Sequence, residues 1–457
     1  MEWQQQLTNM RAHAESGALK SYEGRRDALE RLRRSVLRHE SLINEALMAD
    51  LGKSVEETWV TETGFLLSEL RHTLKHLKGW MKPERVKTNL LNQPSKSRIY
   101  KEPLGVVLII GPWNYPLQLL LAPLVGALAA GNCAVLKPSE LAPRTSDAVR
   151  RIVEDAFRPE EVLVLEGEGA GLLPPLMRGF RFDHVFYTGS TAVGQKIYAM
   201  AAEQLVPVTL ELGGKSPCVI EADADLRVAA RRIAVTKFSN AGQMCVAPDY
   251  VLVHESVKAP FLEKLKETIL QFFTNDPARS GHYGKIVNAR AFARLKGYLD
   301  EGSILFGGRH DAAQHYIEPT LVEVPDIDAA IMGEEIFGPL LPILTWSNFE
   351  EARAIIRRNA DPLAFYVFTQ SVEKERRWIE AVPFGGGCVN NASWHLTNPN
   401  LPFGGRGNSG IGAYHGKASF DTFTHHKSVM KTPTWFDPDF KYPPFRGKLG
   451  LFKKVIR

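Results

Sequence analysis

Cysteine is scarce in this chain of 457 residues: Cys133, Cys218, Cys245 and Cys388 lie far apart, with no Cys-x-x-Cys pair. That spacing excludes a disulfide scaffold and the common zinc modules, and it suits a reducing, cytoplasmic setting. No apolar run follows basic residues at the N-terminus, so no signal peptide is expected. Internal repeats and low-complexity linkers are missing too. With 44% hydrophobic and 23% charged residues, the chain has the composition of a globular protein of two or three domains.

An excess of positive charge is almost absent from the body of the chain. The net charge is +5, but residues 441–457 hold six basic side chains (Lys441, Arg446, Lys448, Lys453, Lys454, Arg457) and no acidic one. Without this tail the chain is nearly neutral, which excludes a nucleic-acid-binding body. The tail interleaves Phe445, Leu449, Leu451, Phe452, Val455 and Ile456 with its cations. It is too short and too charged to span a bilayer; it suits packing on a second copy of the chain, or a weak peripheral contact with anionic lipid.

One uncharged run, Leu104 to Leu136, exceeds the roughly 20 residues a membrane helix needs. Gly111-Pro112-Trp113-Asn114-Tyr115-Pro116 divides it, however. The pattern predicts a buried strand over 104–110, a buried helix over 117–130 and a strand over 133–136, which together form a βαβ unit. Further short strands are expected at 161–165, 184–187, 208–210, 218–221 and 250–253, with a helix over 259–273. This alternation predicts an α/β fold with two doubly wound, Rossmann-like domains. The first 80 residues read as helices with solvated charged faces.

Several tempting motifs fail. Gly52-Lys53-Ser54 and Gly214-Lys215-Ser216 lack the earlier glycine of a phosphate loop, where Leu47 and Thr209 stand. Gly167-Glu168-Gly169 meets Leu172 where a dinucleotide fingerprint needs its third glycine. His72 and His76 lack the glutamate of a zinc-protease helix, because Thr73 follows the first histidine. Gly407-Asn408-Ser409-Gly410-Ile411 lacks the last glycine of a nucleophile elbow. No metal site is expected.

Other blocks carry chemistry. Cys245 stands in a loop of small residues, Ser239 to Pro248, with room for a substrate beside its sulfur. The other three cysteines read as packing residues. Glu211 ends a strand above Gly213 and Gly214, where a carboxylate base can reach a neighbouring site. Asn114, between Trp113 and Tyr115, can turn the chain or offer an amide to an oxyanion.

Taken together, Gly111 to Pro116, Leu136-Lys137-Pro138-Ser139-Glu140, Tyr187 to Ser190, Glu211 to Lys215, Gly242 to Cys245 and Glu335-Ile336-Phe337-Gly338-Pro339 resemble the aldehyde dehydrogenase superfamily in its own motif order. Pro402 to Gly405 and Tyr414 to Lys417 resemble its class 3 branch, which acts on fatty and aromatic aldehydes. The resemblance implies oxidation of medium- or long-chain aliphatic or aromatic aldehydes to carboxylic acids with NAD, NADP also being accepted. Cys245 would be the nucleophile, passing through a thiohemiacetal and a thioester. Asn114 and the Cys245 N–H would hold the oxyanion, and Glu211 would activate the hydrolytic water. Cofactor contacts carry over to Trp113, Lys137, Glu140, Gly189, Ser190, Glu335 and Phe337, while Lys215 reads as a structural cation. Tyr115, Trp394 and His395 are candidates for an aromatic substrate tunnel or for ordinary packing; Met244 and Arg406 are candidates for tuning its mouth.

By the same resemblance, residues 1–82 and 104–208 form the NAD(P)-binding domain and 209–394 the catalytic domain. Residues 83–103 and 395–457 form an oligomerisation arm and tail, the arm adding a strand to a second subunit of a homodimer. Two alternatives are a coenzyme A-acylating dehydrogenase, which Glu211 argues against, and a catalytically silent structural relative. Retention of Cys245, Glu211 and Asn114 together argues against the second.

Overall fold

A computed structural model describes residues 2–324 and 326–456; the basic side chain expected at Arg457 lies outside them, as does the side chain of Val455. The run 104–136 folds as a strand Val106–Ile110, a helix Gln118–Ala130 and a strand Cys133–Lys137, every residue of them buried. The helix is apolar all round because protein covers it on every side. Among the described residues no helix is long and apolar enough to cross a membrane.

This unit is the centre of a six-stranded sheet. Its parallel strands run in the spatial order Val208–Glu211, His184–Thr188, Val106–Ile110, Cys133–Lys137, Val162–Val164, and Gly410–Ile411 closes one edge antiparallel. Chain order therefore reverses between Val106–Ile110 and His184–Thr188, a topological switch point of the kind that opens a ligand crevice at strand C-termini. The loops leaving those two strands carry Trp113–Asn114 and Gly189–Ser190.

The second sheet has seven strands, six parallel and one antiparallel edge strand, Ser303–Phe306. Cys245 lies in the loop that enters its strand Tyr250–His254. The third sheet is small and antiparallel: Lys96–Pro103 pairs along its length with Thr424–Lys431 and, on its other edge, with Glu84–Val86. Residues 83–103 and the C-terminal region thus meet within one chain, and both outer strands are largely exposed.

The N-terminal helices depart from the expected solvated charged faces. Arg25 is 3% exposed, with Nε donating to the Leu19 carbonyl at 2.9 Å and Nη1 to the Ala129 carbonyl at 3.1 Å. Lys53, Glu62 and Glu69 are buried as well. Apolar periodicity located the helices but could not show that these charges meet partners from distant segments.

Asn132 joins three elements. It is fully buried; its Oδ1 accepts from the N–H groups of Leu104 (2.8 Å) and Gly105 (2.9 Å), and its Nδ2 donates to the carbonyls of Ala127 (3.1 Å) and Phe423 (2.9 Å). Each buried partner left unsatisfied costs about 1–3 kcal/mol. Asn132→Ala is expected to lower unfolding stability by several kcal/mol, which urea titration would read as a lower midpoint at unchanged slope; an unchanged midpoint would refute this role.

Candidate active site

Hydrogen bonds tie the loop after Val106–Ile110 to the loop that carries Cys245. Asn114 Nδ2 donates to the Gln243 carbonyl at 3.1 Å, and Asn240 Nδ2 donates to the Asn114 carbonyl at 2.9 Å. The Cys245 loop is sharply bent: Asn240 and Ala241 have φ values of 48° and 50°, rare for residues with a side chain. Gly242 follows at φ 74°, where an added Cβ would lie 2.2 Å from the Gly338 carbonyl oxygen. The close approach brings the Glu335–Phe337 segment to the same site.

Cys245 is a free, partly buried thiol on the wall of a cavity of about 900 Å³. The cavity is mostly apolar, and Met244, Tyr115, Phe65, Trp394, Phe403 and Tyr414 share its lining with the sulfur. Its outer reach includes Trp59, Val60 and Leu37, all exposed. Tyr115 and Trp394 therefore fall where the aromatic-tunnel reading expected them. His395 does not. Ser393, at φ 60°, turns the chain so that His395 Nδ1 sits 3.6 Å from Cys388 Sγ and the ring covers Gly386. Burial pushes the His395 imidazole down to about 4, so it is neutral there. Arg406 also lies outside the cavity lining, its Nε 2.8 Å from Asp361 Oδ1. Of the cysteines read as packing residues, Cys133 and Cys218 are buried, but Cys388 is only partly so.

Burial opposes ionisation of the Cys245 thiol and of Glu211. Burial, with Glu335 and Glu211 adding to it, pushes the Cys245 thiol far above its ordinary range. Glu211 is 3% exposed, neither carboxylate oxygen has a hydrogen-bond partner, and burial raises its pKa strongly. Its backbone is fixed instead, the Glu211 carbonyl accepting from Gly189 N–H at 3.0 Å. Tyr414 stands within electrostatic range of both Glu211 and Cys245.

The crevice at the switch point gathers the expected cofactor residues. Lys137, 2% exposed, pairs with Glu140, which also accepts from Gly169 N–H at 3.2 Å. Burial alone would raise the Glu140 carboxyl; Lys137 and backbone N–H groups hold it below its usual value. Ser190 N-caps the helix Thr191–Ala202 with its own side chain unused, leaving the helix N-terminus open for a phosphate. At Gly189 a Cβ would sit 2.3 Å from Tyr187 Oη. Trp113 and Phe337 meet edge to face at 5.4 Å. The residues present fit a dinucleotide: a bare helix end, a glycine cradle and a carboxylate–lysine corner lie along one crevice.

Sequence reasoning passed over three groups. Glu69 and His415 both line the cavity; Glu69 Oε1 accepts from Gly416 N–H at 2.7 Å, and its Oε2 lies 3.8 Å from His415 Nδ1. Lys53, set aside with the failed phosphate loop, contacts the Asn114 loop. Lys237 is fully buried, and its Nζ has no hydrogen-bond partner. Lys215 is structural in its contacts, donating to Asp249 Oδ2 at 2.6 Å and to the carbonyls of Ile331 and Glu334. Among the described residues no cluster could hold a metal ion.

A family model described as "Aldehyde dehydrogenase family" matches residues 3–429. The 4,4'-diaponeurosporen-aldehyde dehydrogenase of Staphylococcus aureus (strain NCTC 8325 / PS 47) is 45% identical over 99% of this chain and 99% of its own. The "aldehyde dehydrogenase, dimeric NADP-preferring" of Rattus norvegicus is 43% identical over 95% and 96%. Among solved structures, a substrate-bound state of Staphylococcus aureus AldH superposes with a TM-score of 0.96 at 44% identity, covering 99% of both chains. The fold and site define a dinucleotide-dependent oxidoreductase. The chain belongs to the aldehyde dehydrogenase family, whose members oxidise aldehydes to acids with NAD(P).

Glu335 gives the site a measurable pH signature. Burial, reinforced by Asp249, pushes its carboxyl up to about 8, against the opposing pull of the Gly214 N–H, Lys215 and Lys237. The folded chain therefore keeps a proton that the unfolded chain loses near its ordinary value of 4.5. The stability this group supplies is complete below the unfolded value and is lost as pH rises through about 8. In cofactor-free protein, the Tm advantage of Glu335→Gln over wild type is expected to grow between pH 6 and pH 8.5. A pH-independent difference, by calorimetry, would refute the assignment.

Proposed function

We propose that the chain oxidises long apolar or aromatic aldehydes, with Cys245 as nucleophile. The observation that carries this reading is the placement of the Cys245 thiol on an apolar cavity of about 900 Å³, beside the Asn114 loop and electrostatically coupled to Glu211. The S. aureus relative, named for an aldehyde of the diaponeurosporene series, supports a long apolar substrate.

In this reading the aldehyde carbon enters along the cavity and Cys245 sulfur adds to it, the thiol passing its proton to water in the cavity as the bond forms. Asn114 uses one amide hydrogen on Gln243, which fixes the plane of the amide and leaves the other for the new oxyanion. The Cys245 N–H is the second donor. Bound NAD(P) supplies the acceptor for the hydride that leaves the thiohemiacetal carbon. Glu211, once ionised, takes a proton from the water that cleaves the thioester; its lack of partners leaves the carboxyl free to turn toward that water. Lys137 and Glu140 would hold the adenosine ribose, Ser190, Gly189 and Trp113 the pyrophosphate, and Glu335 and Phe337 the nicotinamide end. The Glu140 carboxylate favours NAD, while Lys137 allows NADP, which the rat relative prefers.

We infer a homodimer, built on the free edges of the three-stranded sheet and matching the word "dimeric" in the rat relative's name. Residues 1–82 and 104–208, 209–394, and 83–103 with 395–457 serve as its cofactor, catalytic and oligomerisation parts. Four free cysteines fit a cytoplasmic location. Trp435, Phe445 and Leu449 of the tail, all exposed in the single chain, pack on the second copy rather than on lipid.

Cys245→Ala is expected to abolish aldehyde-dependent NAD(P) reduction while leaving cofactor binding, by fluorescence titration, within twofold of wild type. Glu211→Gln is expected to give a burst of reduced cofactor followed by turnover at least 100-fold slower. Full steady-state activity in either variant would sink the mechanism. Across n-alkanals, kcat/KM should climb with chain length. The ceiling is about 0.8 kcal/mol per buried methylene, or roughly fourfold per carbon. A maximum at acetaldehyde would refute the substrate class. Deleting 441–457 should weaken the dimer in analytical ultracentrifugation without changing liposome flotation; tail-dependent flotation would assign the tail to lipid instead.

A further inference from the structure

The Asn114 amide is held in place by a buried ion pair from the N-terminal helices. Lys53 and Glu62 are both 0% exposed, and Lys53 Nζ donates to Glu62 Oε1 at 2.6 Å. The same ammonium donates to the Asn114 carbonyl at 2.9 Å and lies 3.9 Å from the centre of the Tyr115 ring. The other Glu62 oxygen, Oε2, accepts from Gln118 N–H at 2.9 Å. One ion pair therefore grips both ends of the 114–118 turn, the cation at its start and the carboxylate at its finish.

The neighbouring carboxylate acts on the opposite wall. Glu57 Oε1 accepts from Asn240 N–H at 2.8 Å, and Asn240 Nδ2 donates back to the Asn114 carbonyl. The segment from Lys53 to Glu62 thus touches both loops, the one bearing Asn114 and the one bearing Cys245. Glu62 stands in a short π-helical stretch, Trp59–Thr63, where the wider turn buries Glu62 and Thr63 while Val60 faces out. Such local departures from α-helix recur at functional sites.

A buried ion pair is a poor device for stability alone, because desolvation consumes much of the attraction. Its geometry here serves another end. Rotation of the peptide after Asn114 would shift the backbone that carries the side-chain amide, and the Asn114 carbonyl, anchored by Lys53 and Asn240, cannot rotate without breaking both bonds. We propose that Lys53 and Glu62 are positioning residues, which set the orientation of the Asn114 amide toward the oxyanion formed at Cys245. This inference rests on the reading of Asn114 as the oxyanion donor.

The test is a double-mutant cycle on purified full-length enzyme, with acylation followed by the pre-steady-state burst of reduced cofactor. Lys53→Met combined with Glu62→Gln removes both charges, keeps an acceptor for Gln118 N–H and deletes the donor to the Asn114 carbonyl. The expected result is a burst rate at least tenfold slower, with KM for aldehyde and Kd for NAD within twofold of wild type. In an Asn114→Ala background the same pair should change the rate less than twofold, because the amide it orients is gone. A wild-type burst rate in folded Lys53→Met/Glu62→Gln overturns the proposal, as does an undiminished effect in the Asn114→Ala background. Should that double variant fail to fold, Glu62→Asp, which keeps both charges but shortens the carboxylate, is read in the same cycle by the same criteria. Asn114→Ala with wild-type burst kinetics would instead overturn the oxyanion reading itself.

Discussion

Two hydrogen bonds between Asn114 and the Asn240–Gln243 loop are the contact on which the site depends. One loop leaves the C-terminal end of a strand in the first sheet, and the other enters the N-terminal end of a strand in the second. Neither loop alone encloses anything. Joined, they close the floor of the apolar cavity and place the Cys245 sulfur near residues from both sheets. Glu211 ends a strand of the first sheet and Glu335 lies in the loop that enters the second-sheet strand Leu340–Trp346, and both act electrostatically on the same thiol. Two sheets that share one hydrophobic core are thereby brought into the geometry of one reaction centre.

That closure has an electrostatic consequence. Burial disfavours the charged form of Glu211, Glu335 and the thiol, and the two carboxyls add to the cost of ionising Cys245. Burial thus favours the neutral thiol and carboxyl. In the proposed mechanism ionisation is coupled to arrival of partners: a carbonyl for the thiolate, a water for Glu211. Coupling of this kind favours reaction when the site is full and suppresses it when the site is empty. The positive charge of Lys53 is kept outside this volume, neutralised by Glu62 and spent on a backbone carbonyl.

Much of the fold was legible because it is written in local patterns. The break at Gly111 to Pro116 separated a buried strand from a buried helix, and the small residues around Cys245 marked a loop with room beside a sulfur. The ordered motif set named the family. What escaped was non-local. Lys53 sits in a triplet that fails as a phosphate loop, and nothing around it announces a partner nine residues on, in Glu62, or 61 residues on, at Asn114. Glu69 and His415 are separated by most of the chain. His395, open between tunnel lining and ordinary packing in the sequence, lies outside the cavity lining because the positive φ of Ser393 turns it toward Cys388. Periodicity reports which face of an element is apolar, and such patterns are silent on which buried charge meets which.

In the proposed function the cavity and the tail bear on the same physical problem, that of handling a substrate that water rejects. A long apolar aldehyde transferred into the cavity gains burial free energy in proportion to its length, so the protein needs few directed contacts along most of the channel. Directed contacts are concentrated at the reacting end, where Asn114 and the Cys245 N–H face the carbonyl in the proposed mechanism. The outer lining supports this division: Trp59, Val60 and Leu37 offer area without hydrogen bonds, and they remain exposed in the single chain. The same logic accounts for the basic excess lying outside the catalytic body. The apolar aldehyde of the proposed function carries no charge to be steered, so a positive field around the mouth would gain nothing. The six cations of residues 441–457 are thus best understood through what covers the aromatic residues among them, which in the dimer reading is a second copy of this chain.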